Sequence, residues 1–236
     1  MSRRPLLAAL AALLLLAAGC GVIRDAGPQT TRTQEVSGDV VGVDLAMSGT
    51  VVVRAGSPAS LTMTGGENLL DHVRTRVDGD GVLVIDLDGP GMWRDADLSA
   101  TLVVPEPSVA RLSGSGVVRV EGPSGDGLAV VLGGSGTVEA SDVRVSALEV
   151  DLGGSGTVRA SGRCRTQDVS ISGSGTYDGV ALDSQDATVG VSGSGRAEVT
   201  VTGTLDATIS GSGTITYDGG PSVTSEVSGS GSIAAR

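Results

Sequence analysis

The sequence predicts an all-β chain whose second half winds into a β-solenoid. Three observations carry this reading. The tripeptide Gly-Ser-Gly begins at Gly114, Gly134, Gly154, Gly173, Gly193, Gly211 and Gly229, at spacings of 20, 20, 19, 20, 18 and 18 residues. Apolar and polar residues alternate around each copy, which puts the apolar ones on one face of a strand. Val occurs 33 times in 236 residues while Phe is absent, Trp occurs once and Tyr twice. β-Branched side chains suit a pleated, half-buried surface, so the core must be built from many small aliphatic contacts rather than from aromatic area.

Taken from the N-terminus, the chain opens with Met1-Ser2-Arg3-Arg4, followed by an apolar run of 13 residues from Leu6 to Ala18. That run is too short for a bilayer core, which needs about 20 residues, and it has the proportions of a secretory h-region. It ends in Leu16-Ala17-Ala18-Gly19-Cys20. Small residues before a cysteine resemble the lipobox of bacterial lipoproteins, with Ala17 standing where Leu is commonest. The resemblance implies that residues 1–19 are a signal peptide, that Cys20 is the lipidated first residue, and that the protein is held on the extracytoplasmic side of the cell membrane. An ordinary signal cut near Ala18 is the alternative. Residues 20–34 lack apolar periodicity and contain Gly27-Pro28, so they read as a flexible tether.

The domain proper then spans residues 35–236. Within 35–110, strands are expected at Val40–Leu45, Thr50–Arg54, Ser60–Thr64, Val82–Asp86 and Leu98–Val104. One helix-like turn is expected at Glu67–His72, and Pro105 and Pro107 mark a break. No repeat is visible there, and the region reads as irregular strands that cover the first edge of the stack. Within 111–236, Leu112, Leu132, Leu152, Ile171, Val191, Ile209 and Val227 each precede a Gly-Ser-Gly by two places. Val118, Val138, Val158, Tyr177, Ala197, Ile215 and Ile233 follow at equivalent places. Three short strands per 18–20 residues, repeated, describe one coil of a solenoid, with inward residues buried against the next coil. Glycine would serve the corners, where φ is positive or the backbone is crowded. Seven coils at about 4.8 Å would span roughly 30 Å, with the seven serines stacked in one hydroxyl ladder. A sandwich of hairpins is the alternative fold; the single fixed period favours stacked coils.

The run Glu67-Asn68-Leu69-Leu70-Asp71, a Pro-containing strand end and the serial Gly-Ser-Gly copies together resemble the auto-transporter adhesin head GIN domain family. The resemblance covers roughly residues 36–230. It implies a single-stranded, right-handed β-helix of the pectin-lyase kind and a role in cell adhesion, and it carries no catalytic residues.

The Gly-rich motifs do not match known chemistry. A P-loop needs Gly-Lys-Ser/Thr, and all 16 basic residues here are Arg. The dinucleotide fingerprint needs a helix after its glycines, where Val117 and Thr137 start strands. A nucleophile elbow needs Gly-x-Ser-x-Gly, and Gly133-Gly134-Ser135-Gly136 is followed by Thr137. Gly153-Gly154-Ser155-Gly156-Thr157-Val158 lacks the Asp of a calcium β-roll. A Ser/His pair could use only His72. Asp86, Asp88, Asp95 and Asp97 form an acidic loop around Trp93, read as solvated, with a hard-cation site as the alternative. Trp93 reads as capping the core rather than standing exposed. Cys164 lies between Arg163 and Arg165, which could lower a thiol pKa; it reads as a solitary cysteine, since a lipidated Cys20 leaves it no partner.

The net charge is −11, or −13 once Arg3 and Arg4 leave with the leader, which disfavours nucleic acid as a partner. The expectation is a non-enzymatic, lipid-anchored surface protein with no cofactor and no metal site, which binds a surface glycan or an envelope protein. An accessory, sensor or scaffold role for a membrane partner is the alternative, and a polysaccharide-degrading enzyme is disfavoured by the lack of aromatics. Because the repeat pattern runs to Ser232-Ile233, weak self-association through the C-terminal edge is also expected.

Overall fold

The computed structural model describes residues 23–37, 39–89, 92–94 and 97–236. The leader, Cys20 and Asp95 lie outside the described residues. The first strands are β1 (Ile23–Asp25), β2 (Gln29–Glu35), β3 (Gly42–Leu45), β4 (Thr50–Ala55) and β5 (Ser60–Gly66), followed by the short helix α1 (Glu67–Leu70). Then come β6 (Val73–Val77), β7 (Val82–Leu87), β8 (Met92–Arg94) and β9 (Ser99–Val104). The repeat region supplies β10 (Val109–Leu112), β11 (Val117–Glu121), β12 (Ser124–Leu132), β13 (Thr137–Leu152), β14 (Thr157–Ile171) and β15 (Thr176–Gly193). It ends with β16 (Arg196–Gly211), β17 (Thr214–Asp218), β18 (Ser222–Gly229) and β19 (Ser232–Ala235).

Successive copies pair in parallel, one repeat apart, as a solenoid requires and a hairpin sandwich forbids. Leu112 pairs with Leu132, Leu132 with Leu152, Leu152 with Ile171, Ile171 with Val191, Val191 with Ile209 and Ile209 with Val227. Down to Ile209 these side chains are 2% exposed or less. Burial of such aliphatic groups contributes about 1.5–3 kcal/mol per side chain, which is how a core without Phe is assembled.

The corner glycines are required by crowding. A Cβ on Gly154 would overlap the carbonyl oxygen of Gly134 one coil below, and Gly134 stands in the same relation to Gly114. Gly193, Gly211 and Gly229 additionally adopt φ of +142°, +137° and +129°. The serines between the glycines all lie exposed in one row. From Ser155 onward their amides are bonded to the coil below, as in Ser212 N–H to the Gly193 carbonyl at 2.8 Å and Ser230 N–H to the Gly211 carbonyl at 2.9 Å.

The first half is more regular than its sequence suggests. β3 and β4 lie in parallel beneath β10 and β11, and β7 and β9 lie in parallel beneath β3 and β4. Two further coils therefore continue the core columns, with Leu45 and Ile85 below Leu112 and with Val51 and Ala100 below Val118. Their spatial order is not their chain order. The coil made second, β7/β9, is outermost, and the chain must pass β3/β4 to begin β10. Beyond it the stack is closed by antiparallel strands: β5 on β9, β2 on β5 and β6 on β7. Leu69 and Leu70 of α1 are buried against this end of the core.

The segment expected to be a flexible tether is structured where it is described. β1 pairs with β8, and β2 pairs along its whole length with β5. The carbonyls of Ala26 and Pro28 accept from the amides of Asn68 and Glu67, at 3.0 and 2.9 Å, which satisfies free N–H groups of the first turn of α1. β2 has no apolar residue to announce it. It is held by backbone pairing and by hydroxyl pairs, Thr31 with Thr64 at 2.9 Å and Thr33 with Thr62 at 3.1 Å.

Candidate functional site: the outer faces of the solenoid

Alternation along each strand gives every inward column an outward counterpart, so the surface is a set of ladders. One face carries a groove of about 710 Å³ that crosses β13, β14, β15, β16 and β18. Its two rims are the columns Ala147, Thr166, Asp186, Thr204, Ser222 and Glu149, Asp168, Thr188, Asp206, Thr224, held in register by the parallel pairing. Apart from Ala147 the rims are carboxylates and hydroxyls, Leu148, Gln167, Ala187 and Leu205 line the groove between them, and there is no arginine. Asp186 Oδ1 accepts from the Thr204 hydroxyl at 2.6 Å and from its amide at 3.1 Å, which fixes one carboxylate on the rim.

A second face balances its charges. Arg119 pairs with Glu139 on the next coil, and Arg159 approaches Glu139 from the coil beyond, at 2.8 and 3.7 Å. These ladders are partly exposed and worth little each, but they leave no field of one sign on that face.

The core beneath the groove contains two polar residues, Gln167 and Ser184, that sequence reasoning did not single out. Gln167 and Ser184 are 1% and 3% exposed, and Tyr177 is fully buried. The Tyr177 hydroxyl donates to Gln167 Oε1 at 3.0 Å, Gln167 Nε2 donates to Ser184 Oγ at 2.6 Å, and Ser184 Oγ donates to the Thr200 carbonyl at 3.0 Å. The signal was present as polar breaks in apolar columns: Gln167 between Leu148 and Ala187, and Ser184 between Cys164 and Val201.

Cys164 is buried beside this network. Burial pushes its thiol up to about 11, so desolvation outweighs the flanking Arg163 and Arg165, whose side chains point outward. The thiol is a packing group and not an activated nucleophile. His72 sits on the N-terminal cap, far along the chain from the repeat serines; its Nδ1 donates to the Asn68 carbonyl at 2.9 Å. Trp93 packs against the core, edge-on to His72 with ring centroids 4.9 Å apart and with the Arg24 guanidinium 5.5 Å from its centroid. In the acidic loop, Asp88 accepts from Arg74, so that carboxylate is engaged by a protein cation. No cluster of metal-ligating side chains occurs among the described residues, and no helix among them is long and apolar enough to cross a membrane.

At the C-terminal end, β18 is exposed along its whole length and no strand lies on its far side among the described residues. Val223 and Val227, which continue inward columns, are 38% and 43% exposed there.

A family model described as putative auto-transporter adhesin, head GIN domain, matches residues 41–221. No curated protein matches. Among solved structures, a putative adhesin from Bacteroides fragilis superposes with a TM-score of 0.81 at 22% identity, covering 90% of this chain and 99% of that one. A putative lipid binding protein from Parabacteroides distasonis gives 0.69 at 24%, covering 90% and 98%. A putative adhesin from the same species gives 0.65 at 20%, covering 91% and 100%. At these identities the likeness concerns the fold.

Proposed function

The chain belongs to the head GIN domain family, and on that premise we propose that it is a non-enzymatic, lipid-anchored protein of the cell envelope that makes adhesion-type contacts through the side of its solenoid. The observation that carries the reading is the groove across five strands. Its carboxylates and hydroxyls repeat at the strand spacing of about 4.8 Å, which suits hydrogen bonding to an extended, hydroxyl-bearing polymer such as a surface glycan. Parallel pairing and buried aliphatic columns make this face rigid, so binding costs little ordering of the protein. In this reading Cys20 carries the lipid, and the order found from β1 onward leaves only Gly21 and Val22 between the lipid and the first strand.

The test is retention of the full chain, in detergent, on immobilised polysaccharides and on detergent-solubilised envelopes. Wild type is expected to bind a polysaccharide, and Thr188→Val with Thr224→Val, which removes two rim hydroxyls, is expected to weaken this without loss of fold. Binding confined to a single membrane protein would overturn adhesion in favour of an accessory role.

A further inference from the structure

We propose that Arg144, Arg163 and Arg165 form an oxyanion site that takes the carboxylate or sulfate groups of an acidic glycan. Arg144 on β13 is directly paired with Arg163 on β14, which places them about 4.8 Å apart along the hydrogen-bonding direction. Arg165 follows two residues on, about 7 Å along the strand, beyond the inward-facing Cys164. All three arginines are exposed, and with Ser146 and Gln185 they line a recess of about 380 Å³ beside the acidic groove.

Like charges directly opposite each other on neighbouring strands destabilise a sheet. Carboxylates do meet in this way, Glu149 opposite Asp168 and Asp178 opposite Glu198, but Arg144 opposite Arg163 is the one pair of arginines so placed among the described residues; elsewhere a carboxylate interleaves, as where Glu139 sits between Arg119 and Arg159. Arg32, Arg54, Arg74, Arg111 and Arg236 likewise each have a carboxylate within ion-pair distance. None of the three clustered arginines has one among the described residues, although the chain carries 27 acidic residues against 16 basic ones; Arg24, Arg76 and Arg196 also form no salt bridge there, but none of them lies opposite another arginine in the strand pairing. Even Asp183, which is paired with Arg163 in backbone register, forms no salt bridge with it. The cluster therefore presents guanidinium forks with their counter-charge left to an external group, and such forks match planar and tetrahedral oxyanions.

A glycan fits this setting better than a membrane surface does. The patch is small and bounded by carboxylates, Asp183 on one side and the groove on the other. An extended plane of anionic headgroups would meet that repulsion, whereas a polymer with acidic groups spaced along it would not. Ser146 and Gln185 supply neutral hydrogen-bonding groups of the kind sugar hydroxyls need. The assignment rests on the surface-binding reading above and adds the charge of the ligand to it.

The experiment titrates the full chain in detergent with dextran sulfate, polygalacturonate and uncharged dextran. The comparison is with Arg144→Gln/Arg163→Gln/Arg165→Gln. Wild type is expected to bind one or both acidic polymers, to leave uncharged dextran unbound, and to lose affinity as salt shortens the screening length from about 30 Å to about 3 Å. The triple variant should bind about tenfold more weakly or worse, as loss of one or more charge-assisted contacts implies. Its melting temperature should equal or exceed that of wild type, and inorganic sulfate at matched ionic strength should raise the melting temperature of wild type only. Equal binding of an acidic polymer by the triple variant would overturn the arginine site and leave the surface-binding reading standing. Arginine-dependent retention by phosphatidylglycerol vesicles, with neither acidic polymer bound, would overturn the glycan as occupant. Absence of any binding would overturn the site, while retention on uncharged polysaccharide would still decide the broader reading.

Discussion

The Tyr177 hydroxyl donates a 3.0 Å hydrogen bond to Oε1 of Gln167 in the solenoid interior. Tyr177 occupies a column held by Val158 on one side and Ala197 on the other. Its ring fits because residue 179 is glycine: a Cβ there would come within 2.7–2.8 Å of Tyr177 Cε1, Cζ and the hydroxyl. Burial raises the phenol far above its ordinary value, so the hydroxyl stays a donor. Tyr177→Phe should cost roughly 1–3 kcal/mol by leaving Gln167 Oε1 unsatisfied. Gly179→Ala should destabilise by a similar roughly 1–3 kcal/mol, and much less when Tyr177 is also replaced by Val. A double-mutant cycle read by denaturant unfolding measures that coupling; independent, additive effects would refute it.

Crowding at the corners predicts a contrast between adjacent residues. Gly154→Ala forces a methyl group against the Gly134 carbonyl of the coil below and should cost about 1–3 kcal/mol. Ser155→Ala, at the exposed tip, should stay within about 0.5 kcal/mol of wild type. Thermal melts of the two variants check this, and equal midpoints would show that the corner relaxes freely.

Burial of Cys164 predicts both reactivity and pH dependence. A thiol-selective reagent at pH 8 should label the protein slowly when native and rapidly in denaturant. The folded thiol titrates at about 11 against an unfolded value of 9.0. A raised thiol pKa means that the unfolded state loses its proton first. The contribution to stability is therefore complete below pH 9 and falls as pH rises toward 11. Cys164→Ala should remove that part of the alkaline decline. Rapid native labelling at pH 8 would contradict the buried assignment.

The open strand β18 predicts self-association. Its residues Ser222-Val223-Thr224-Ser225-Glu226-Val227-Ser228 read nearly the same in both directions. Two copies meeting antiparallel about Ser225 would set Val223 against Val227 and Glu226 against Thr224, with no like charges opposed. Sedimentation at rising concentration should show a weak dimer. Val227→Glu, at a position already 43% exposed, should give a monomer of unchanged melting temperature. A strictly monomeric wild type at high concentration would rule this contact out.

The proposed lipid anchor at Cys20 predicts a simple partition. Cys20→Ala should move the mature protein from the membrane fraction to the soluble one. Unchanged sedimentation with membranes would place the anchor elsewhere.

The repeat was legible because its causes are local. An inward aliphatic every second residue and a glycine wherever one coil crosses another leave a mark at fixed spacing. The N-terminal coils escaped notice for a physical reason. Their corner reads Met47-Ser48-Gly49, stacked under Gly114-Ser115-Gly116, and Leu45 and Val51 flank it as in every later copy. Near the end of the stack Met47 can replace the first glycine, so the motif degenerates there while its register persists. β2 left no apolar trace because its stability comes from backbone and hydroxyl pairing with β5.

The sequence by itself determined the all-β class, the solenoid period, the inward columns from Leu112 to Ile209 and the stacked row of serines. Only the tertiary structure decided that β3/β4 is inserted between β7/β9 and β10/β11, that the Cys164 thiol is desolvated rather than activated, and that Arg144 faces Arg163 without a carboxylate between them. Strand alternation and glycine crowding act within one repeat and are written residue by residue. Stacking order and the meeting of side chains from different coils are long-range choices. A parallel strand edge accepts any strand with matching inward residues, and here the antiparallel cap of β2, β5 and β6, with α1 closing the core, selects which coil lies outermost.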